Sequence, residues 1–338
     1  MINQVYRLIA PKQIRTDFVD LSMNGDNVIV RPTYLSICAA DQRYFMGTRD
    51  RKVLSQKLPM ALIHEAVGKV VYDPKGEYPL GTKVVMIPNT PTTSDEIIKD
   101  NYLASTKFRA SSMDGFMQNL VSMDRNLIIP FDFSERSAVL LEITSVVMNA
   151  MDAFSKHANP NKQTVGVWGN GNLGYITSLV LKTLYPECKV YVFGVHEAKM
   201  NYFSFVDETY LISDIPEDLK IDHAFECVGG SASENAINQI IDYINPQGMI
   251  SLLGVSENPV PINTRMVLEK GLILQGNSRS NYNDFQKAID LINANPELTD
   301  YLSTIISEEI EVRSIDDMIL AFENDVTNEF KTIMKWCI

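Results

Sequence analysis

A chain of 338 residues, 45% hydrophobic and 21% charged, is long enough for two globular domains and has the composition of an ordinary soluble protein. Its net charge of −12 argues against nucleic acid or an anionic membrane as the main partner, and no apolar run reaches the ~20 residues of a bilayer span. The opening MINQVYRLIAPKQ lacks the apolar core of a signal peptide, and Cys38, Cys188, Cys227 and Cys337 form no C-x-x-C pair, so a reducing, cytoplasmic compartment is expected and membrane insertion is not.

Residues 1 to about 145 read as short strands separated by turns, at 27–32, 68–72, 83–88 and 114–121. Between them, 89–112 is polar and weakly patterned, an excursion or lobe. From about 146 the pattern changes to alternating strand and helix, the mark of a parallel sheet. Strands are expected at 164–169, 189–194, 209–213, 221–228, 249–255 and 271–277, with helices at 175–185, 198–205 and 233–244. The tail from Asp284 gives a helix over DFQKAIDLINA and a final strand around 331–335, expected to return to the first domain. The fold class expected is α/β, with one domain at 1–145 plus 284–338 and a doubly wound parallel-sheet domain at 146–283.

The stretch TVGVWGNGNLG, from Thr164 to Gly174, carries the most information. Gly169, Gly171 and Gly174 stand in G-x-G-x-x-G spacing between a buried strand and a helix that Asn172 and Leu173 help to open. In that setting the first glycine makes a tight turn, the second lets backbone approach a pyrophosphate, and the third lets helix and strand pack closely. Unpaired N–H groups at the helix start favour the anion. About 20 residues on, where NAD enzymes place an acid for the ribose 2′-OH, KVYVFGVHEAK has Gly194. Without that carboxylate a 2′-phosphate is not repelled, and His196 and Lys199 can attract it, although Glu197 opposes this. NADP is the expected cofactor, and Gly194→Asp is expected to shift preference toward NADH.

In the first domain Cys38, His64 and Glu65 offer a thiolate, an imidazole and a carboxylate, donors that suit zinc. A lone Cys is as readily a buried hydrophobe, and His-Glu ahead of a strand can be surface residues. The pair is not a zincin motif, because Gly68 stands where its second His would fall.

These residues, in their order, resemble the zinc-containing medium-chain alcohol and polyol dehydrogenases over nearly the whole chain. Ile37-Cys38-Ala39-Ala40-Asp41 is similar to that family's G-x-C-G-S/T-D, His64 to Gly68 to its G-H-E-x-x-G, and Asp114 to Gln118 to its G-G-F-A-E. Glu142 to Val146 is similar to the polyol enzymes' E-P-L-S-V, whose glutamate belongs to the metal site. The resemblance implies a GroES-like, mainly β catalytic domain beside a Rossmann domain, and one catalytic zinc at Cys38, His64, Glu65 and Glu142. Many relatives hold a second, structural zinc with four cysteines in the lobe corresponding to 89–112; that segment has no cysteine here, so no structural zinc is expected. The family's proton-relaying Ser or Thr is Ala40 in this chain, which leaves Asp41, Tyr44, Glu65 or a metal-bound water to handle the proton.

Within the family, SICAADQRYF, DHAFECVGG and NTRMVLEKGL are similar to the branch that reduces ribulose 5-phosphate to ribitol 5-phosphate for CDP-ribitol and wall teichoic acid. A sugar-phosphate substrate is thereby implied, with Arg43 and Arg49 the expected phosphate ligands among a basic set that includes Arg51, Lys57, Arg265, Lys270 and Arg279. A homodimer or homotetramer is expected, and the cytidylyltransferase of the same pathway is a candidate partner. The alternatives are a dehydrogenase of an unphosphorylated polyol such as sorbitol, xylitol or arabitol, and a nucleotide-binding protein that has lost catalysis.

Overall fold

A computed structural model describes residues 1–23 and 25–338. The chain divides into two compact units, Met1–Ser145 with Ser280–Ile338, and Val146–Arg279.

The first unit is built on mainly antiparallel sheet, with Ile306–Val312 and Lys331–Trp336 its one parallel ladder of strands among the described residues. Its larger sheet runs Ile128–Pro130, Lys83–Met86, Glu65–Tyr72, Val28–Ser36, Lys331–Trp336 and Ile306–Val312, with Val121–Met123 also paired to Val28–Ser36. The expected final strand thus does join this unit, antiparallel to Val28–Ser36 and registered Ile333 against Ser36. A smaller sheet sets Ile2–Ala10 between Gln13–Asp20 and Met60–Ala61. The hairpin Ile2–Ala10/Gln13–Asp20 is absent from the sequence expectations. Its inward face carries Asn3, whose amide is satisfied by both backbone groups of Leu120 at 2.8 and 3.0 Å, so the apolar alternation is broken where the strand is buried.

The strand expected at 114–121 is corrected to Val121–Met123. Ahead of it the backbone bonds to different segments in turn: Gly115 and Phe116 donate to Ala61 and Ile63, while Tyr6 donates to Met117. No single partner is followed far enough to make a ladder. Gly115 is needed there because a Cβ would lie 2.3 Å from the Leu62 carbonyl oxygen.

The second unit is a six-stranded sheet, every pairing parallel, in the order Glu208–Leu211, Lys189–Gly194, Thr164–Trp168, His223–Glu226, Met249–Leu252, Ile273–Gly276. Read by position in the chain this is 3-2-1-4-5-6, the doubly wound order, with its switch point between the first and fourth strands. All six expected strands are present, most of them shorter. The helix expected at 198–205 shrinks to Glu197–Met200, because Phe203 and Phe205 are drawn edge-on to the buried ring of Tyr175, at 5.2 and 5.1 Å. Trp168 stacks on Phe193 at 3.8 Å, and Gly166 leaves the space in which that indole lies.

The return strand carries a buried charge. Lys331 donates to both carboxylate oxygens of Glu65, at 2.6 and 2.8 Å, and to the Ile37 carbonyl at 3.0 Å. Removing one partner of such a pair strands the other charge, at about 3–5 kcal/mol. Lys331→Ala should therefore lower the unfolding free energy of the metal-free protein by about that much in denaturant melts, and Glu65→Gln with Lys331→Met should recover most of it. A single variant within ~1 kcal/mol of wild type would contradict this reading of the pair.

Candidate active site

In the first unit Cys38 immediately precedes the helix Ala39–Phe45, and Glu65 opens the strand Glu65–Tyr72 with His64 just ahead of it. Pairing of Val28–Ser36 with Glu65–Tyr72 sets Ser36 opposite Glu65, which brings the Cys38 end of one to the His64 end of the other. One ligand atom from each of Cys38, His64 and Glu65 lies within 4.8 Å of the others, the only such group of three among the described residues. Sulfur, imidazole nitrogen and carboxylate oxygen so close together are a donor set that fits zinc.

Asp41 organises the group. Its Oδ1 accepts from the Ile63 amide at 2.9 Å; its Oδ2 accepts from the Cys38 amide at 3.3 Å and lies 3.3 Å from His64 Nδ1. A carboxylate on Nδ1 leaves Nε2 as the donor toward a metal. Ile63 holds a φ of 70°, a strained value for a β-branched residue, and is pinned by Asp41 and by the Phe116 amide bonded to its carbonyl at 2.8 Å. Burial opposes a charged His64, but Asp41 and then Cys38 outweigh it, so the imidazole titrates well above its ordinary value. Such an imidazole gives up its proton when a metal binds.

The other expected residues are placed less uniformly. Glu142, in the first turn of the helix Leu141–His157, is buried and feels His64 and Glu65 electrostatically, but lies outside the tight group of three. Tyr44 belongs to the hydrophobic core, with the Arg49 guanidinium 4.5 Å from its ring centroid. Arg43 stands in the last turn of the helix that follows Cys38. Lys270 is not a free cation: its Nζ caps the carbonyls of Ile241, Asp242 and Ile244. Arg265 pairs with Glu269 at 2.8 Å on an exposed helix face. Lys331, absent from the sequence expectations, holds Glu65; a lone Lys on a strand carries no signal of a partner 266 residues away.

In the second unit the three glycines meet three different constraints. Gly169 has a φ of 117°, Gly174 would put a Cβ 1.8 Å from the Gly169 carbonyl oxygen, and Gly171 faces open space where a pyrophosphate can approach. Asn172 and Leu173 begin the helix Asn172–Leu184. Glu226, at the end of the fourth strand, accepts from the amides of Val228, Gly229 and Gly254 and ties two further loops at the carboxyl edge of the sheet. His196 caps the start of the short helix Glu197–Met200 just past Gly194, and Lys199 stands in its last turn. A Cβ at 194 would lie 2.3 Å from Asn170 Cγ, so an acid placed there requires the Asn170 side chain to move.

Burial, the largest influence, pushes the Glu142 carboxyl up to about 7; His64 pulls it down and Glu65 adds to the rise. A raised carboxyl stabilises the fold while protonated, so its contribution is full below the ordinary value of 4.5 and is lost as pH rises through about 7. The metal-free protein should lose thermal stability across that interval, and Glu142→Gln should flatten the loss. Melts of both proteins across the interval check this, and equal slopes would contradict it.

Comparison with known proteins agrees with these features. Residues 24–132 match the alcohol dehydrogenase GroES-like domain, and residues 135–336 the glucose dehydrogenase C-terminus. The chain is 53% identical to ribulose-5-phosphate reductase 1 of Staphylococcus aureus, over 99% of both proteins. It is 49% identical to ribulose-5-phosphate reductase of Bacillus spizizenii, again over 99% of both. The crystal structure of S. aureus TarJ in complex with NADPH superposes with a TM-score of 0.90 at 49% identity, covering 100% of each chain. L-Idonate 5-dehydrogenase from Escherichia coli, at 18% identity, 99% coverage of each chain and a TM-score of 0.84, shares the fold alone. The family resemblance read from the motifs is borne out: the chain belongs to the medium-chain alcohol dehydrogenase family, within its ribulose-5-phosphate reductases.

Proposed function

We propose that this protein reduces the C2 carbonyl of D-ribulose 5-phosphate with NADPH to give D-ribitol 5-phosphate, the unit of CDP-ribitol and wall teichoic acid. The observation that carries the reading is the Cys38, His64 and Glu65 donor group, set in a chain about half identical, end to end, to ribulose-5-phosphate reductases. Hydride from the nicotinamide goes to C2 and a proton to its oxygen, so the ketone gains two electrons and NADPH becomes NADP.

Cys38, His64 and Glu65 are the residues that would hold one zinc, with Glu142 beside them. Bound there, zinc supplies Lewis-acid polarisation of the carbonyl. Asp41 keeps the His64 ring in one orientation, with Nδ1 toward the carboxylate and Nε2 the nitrogen that gives up its proton to a metal. With Ala40 in the relay position and Asp41 engaged by two backbone amides, Tyr44 and Glu65 are the remaining proton carriers on this chain. The glycine turn holds the pyrophosphate of NADPH, and His196 and Lys199 face its 2′-phosphate. The lobe at 89–112 is cysteine-free and closed by a hairpin of Asn89–Thr90 with Lys107–Phe108, which supports a single zinc per chain.

The protein acts as a homodimer or homotetramer in the cytoplasm, where its cofactor and sugar phosphate are found. The terminal strand Ile273–Gly276 pairs on one side only, and Ile273, Leu268 and Val255 are exposed, which supports a self-association edge there. Sedimentation equilibrium of wild type and Ile273→Lys reads this, with an unchanged monomeric mass in both the contrary result. The product's next acceptor is a cytidylyltransferase, with co-purification of the two as the test.

Substrate choice tests the central reading. Arg43 and Arg49 anchor the phosphate, and each charge-assisted contact contributes about 1.5–3 kcal/mol. Two of them give ribulose 5-phosphate roughly a hundredfold or greater advantage over ribulose in kcat/KM. Arg43→Ala or Arg49→Ala should narrow that ratio by lowering the phosphate ester's value alone. Ribulose, sorbitol or xylitol turning over as well as the phosphate ester would hand the function to an unphosphorylated polyol.

A further inference from the structure

The end of the second parallel strand and the glycine turn after the first are joined by one side chain. Asn170, the residue between Gly169 and Gly171, is buried and lies against the Cα of Gly194. A Cβ added at 194 would stand 2.3 Å from its Cγ and 2.6 Å from both its amide nitrogen and its amide oxygen. Asn170 Nδ2 donates to the His196 carbonyl at 2.8 Å and sits 3.7 Å from Met200 Sδ. His196 precedes the helix Glu197–Met200, so this one amide fixes the segment that carries His196 and Lys199. Gly169 donates to the Phe193 carbonyl at 2.8 Å and clamps the same two strand ends from the backbone side.

We infer that Asn170 is the positioning and specificity-determining residue for the ribose end of the cofactor. Its neutral amide fills the volume in which an acidic side chain on the second strand would stand. It also holds the backbone of 196–200 where His196 and Lys199 meet a 2′-phosphate. Gly194 and Asn170 are then one determinant: glycine makes the space and asparagine occupies it. The inference rests on the NADPH reading above.

Calorimetric dissociation constants for NADPH and NADH, on wild type, Asn170→Ala, Gly194→Asp and the double variant, separate the possibilities. In Asn170→Ala, NADPH should bind at least tenfold more weakly and NADH less than threefold more weakly. Gly194→Asp alone should weaken both cofactors, because the new side chain collides with Asn170. The double variant should bind NADH at least tenfold more tightly than Gly194→Asp does, the carboxylate now having room to reach the ribose hydroxyls. Asn170→Ser, which keeps a small donor, should show the same NADPH-selective loss at smaller size and serves if alanine there prevents folding. A wild type that prefers NADPH, with losses equal for the two cofactors in Asn170→Ala or Asn170→Ser, would overturn the inference alone, since Asn170 would then only brace the turn. A clean switch by Gly194→Asp without change at 170 would overturn it as well. A wild type that binds NADH as tightly as NADPH would overturn the cofactor reading and this inference together.

Discussion

The buried ion pair between Lys331 and Glu65 is the constraint on which the first unit closes. Lys331 and Glu65 are 2% and 1% exposed, with Lys331 bonded to both carboxylate oxygens and to the carbonyl next to Cys38. Burying two charges earns little net stability by itself, because desolvation offsets most of the attraction. What the pair supplies is register. A strand shifted by one residue turns every side chain to the other face of the sheet, and here it would also leave Glu65 alone in the core. The chain leaves this unit after Ser145 and returns at Ser280, and its last strand is placed against Val28–Ser36 with Lys331 reaching Glu65. A carboxylate has about four lone-pair sites, so Glu65 can be held by Lys331 and still offer an oxygen to a metal.

The two units solve different problems with the same means, which is to use the backbone where a side chain would be too large or too mobile. Around Cys38 and His64 the means is Asp41, which takes the amides of Cys38 and Ile63 and so fixes the backbone at Cys38 and just ahead of His64. Around the dinucleotide turn it is glycine: Gly169 takes the positive φ of the turn, Gly174 leaves room for the close helix contact, and Gly171 faces open space. The strained φ of Ile63 next to His64 and the positive φ of Gly169 both stand beside ligand-binding groups. Local strain of this kind persists only when the surrounding packing over-determines it.

Much of this was legible in the chain itself. The six strands of the parallel sheet announced themselves as apolar runs between helical segments, and the glycine spacing fell where strand meets helix. Cys38, His64 and Glu65 were visible as donors, but only the family resemblance made them a group, since residues 26 apart carry no spacing rule. Side chains whose job is set by distant partners were not legible. Asn3 faces inward because Leu120 satisfies it, Lys270 caps a helix that ends 27 residues earlier, and Lys331 is explained only by Glu65. Asn170 stands inside the glycine spacing, and nothing in that spacing signals its packing against Gly194. The segment 114–121 has the apolar content of a strand, but its backbone hydrogen bonds go to several partners, which no local pattern records.

The most direct measurement is a zinc add-back titration of chelated protein, following NADPH-dependent reduction of ribulose 5-phosphate alongside NADPH binding. The expected result is activity that is absent without metal and rises linearly to saturation at one zinc per chain, while NADPH binds equally well throughout. A Cys38→Ala protein carried through the same titration should bind NADPH and stay inactive. Full turnover by the metal-free protein, or by Cys38→Ala, would contradict a reaction that depends on Cys38, His64 and Glu65 as a zinc site.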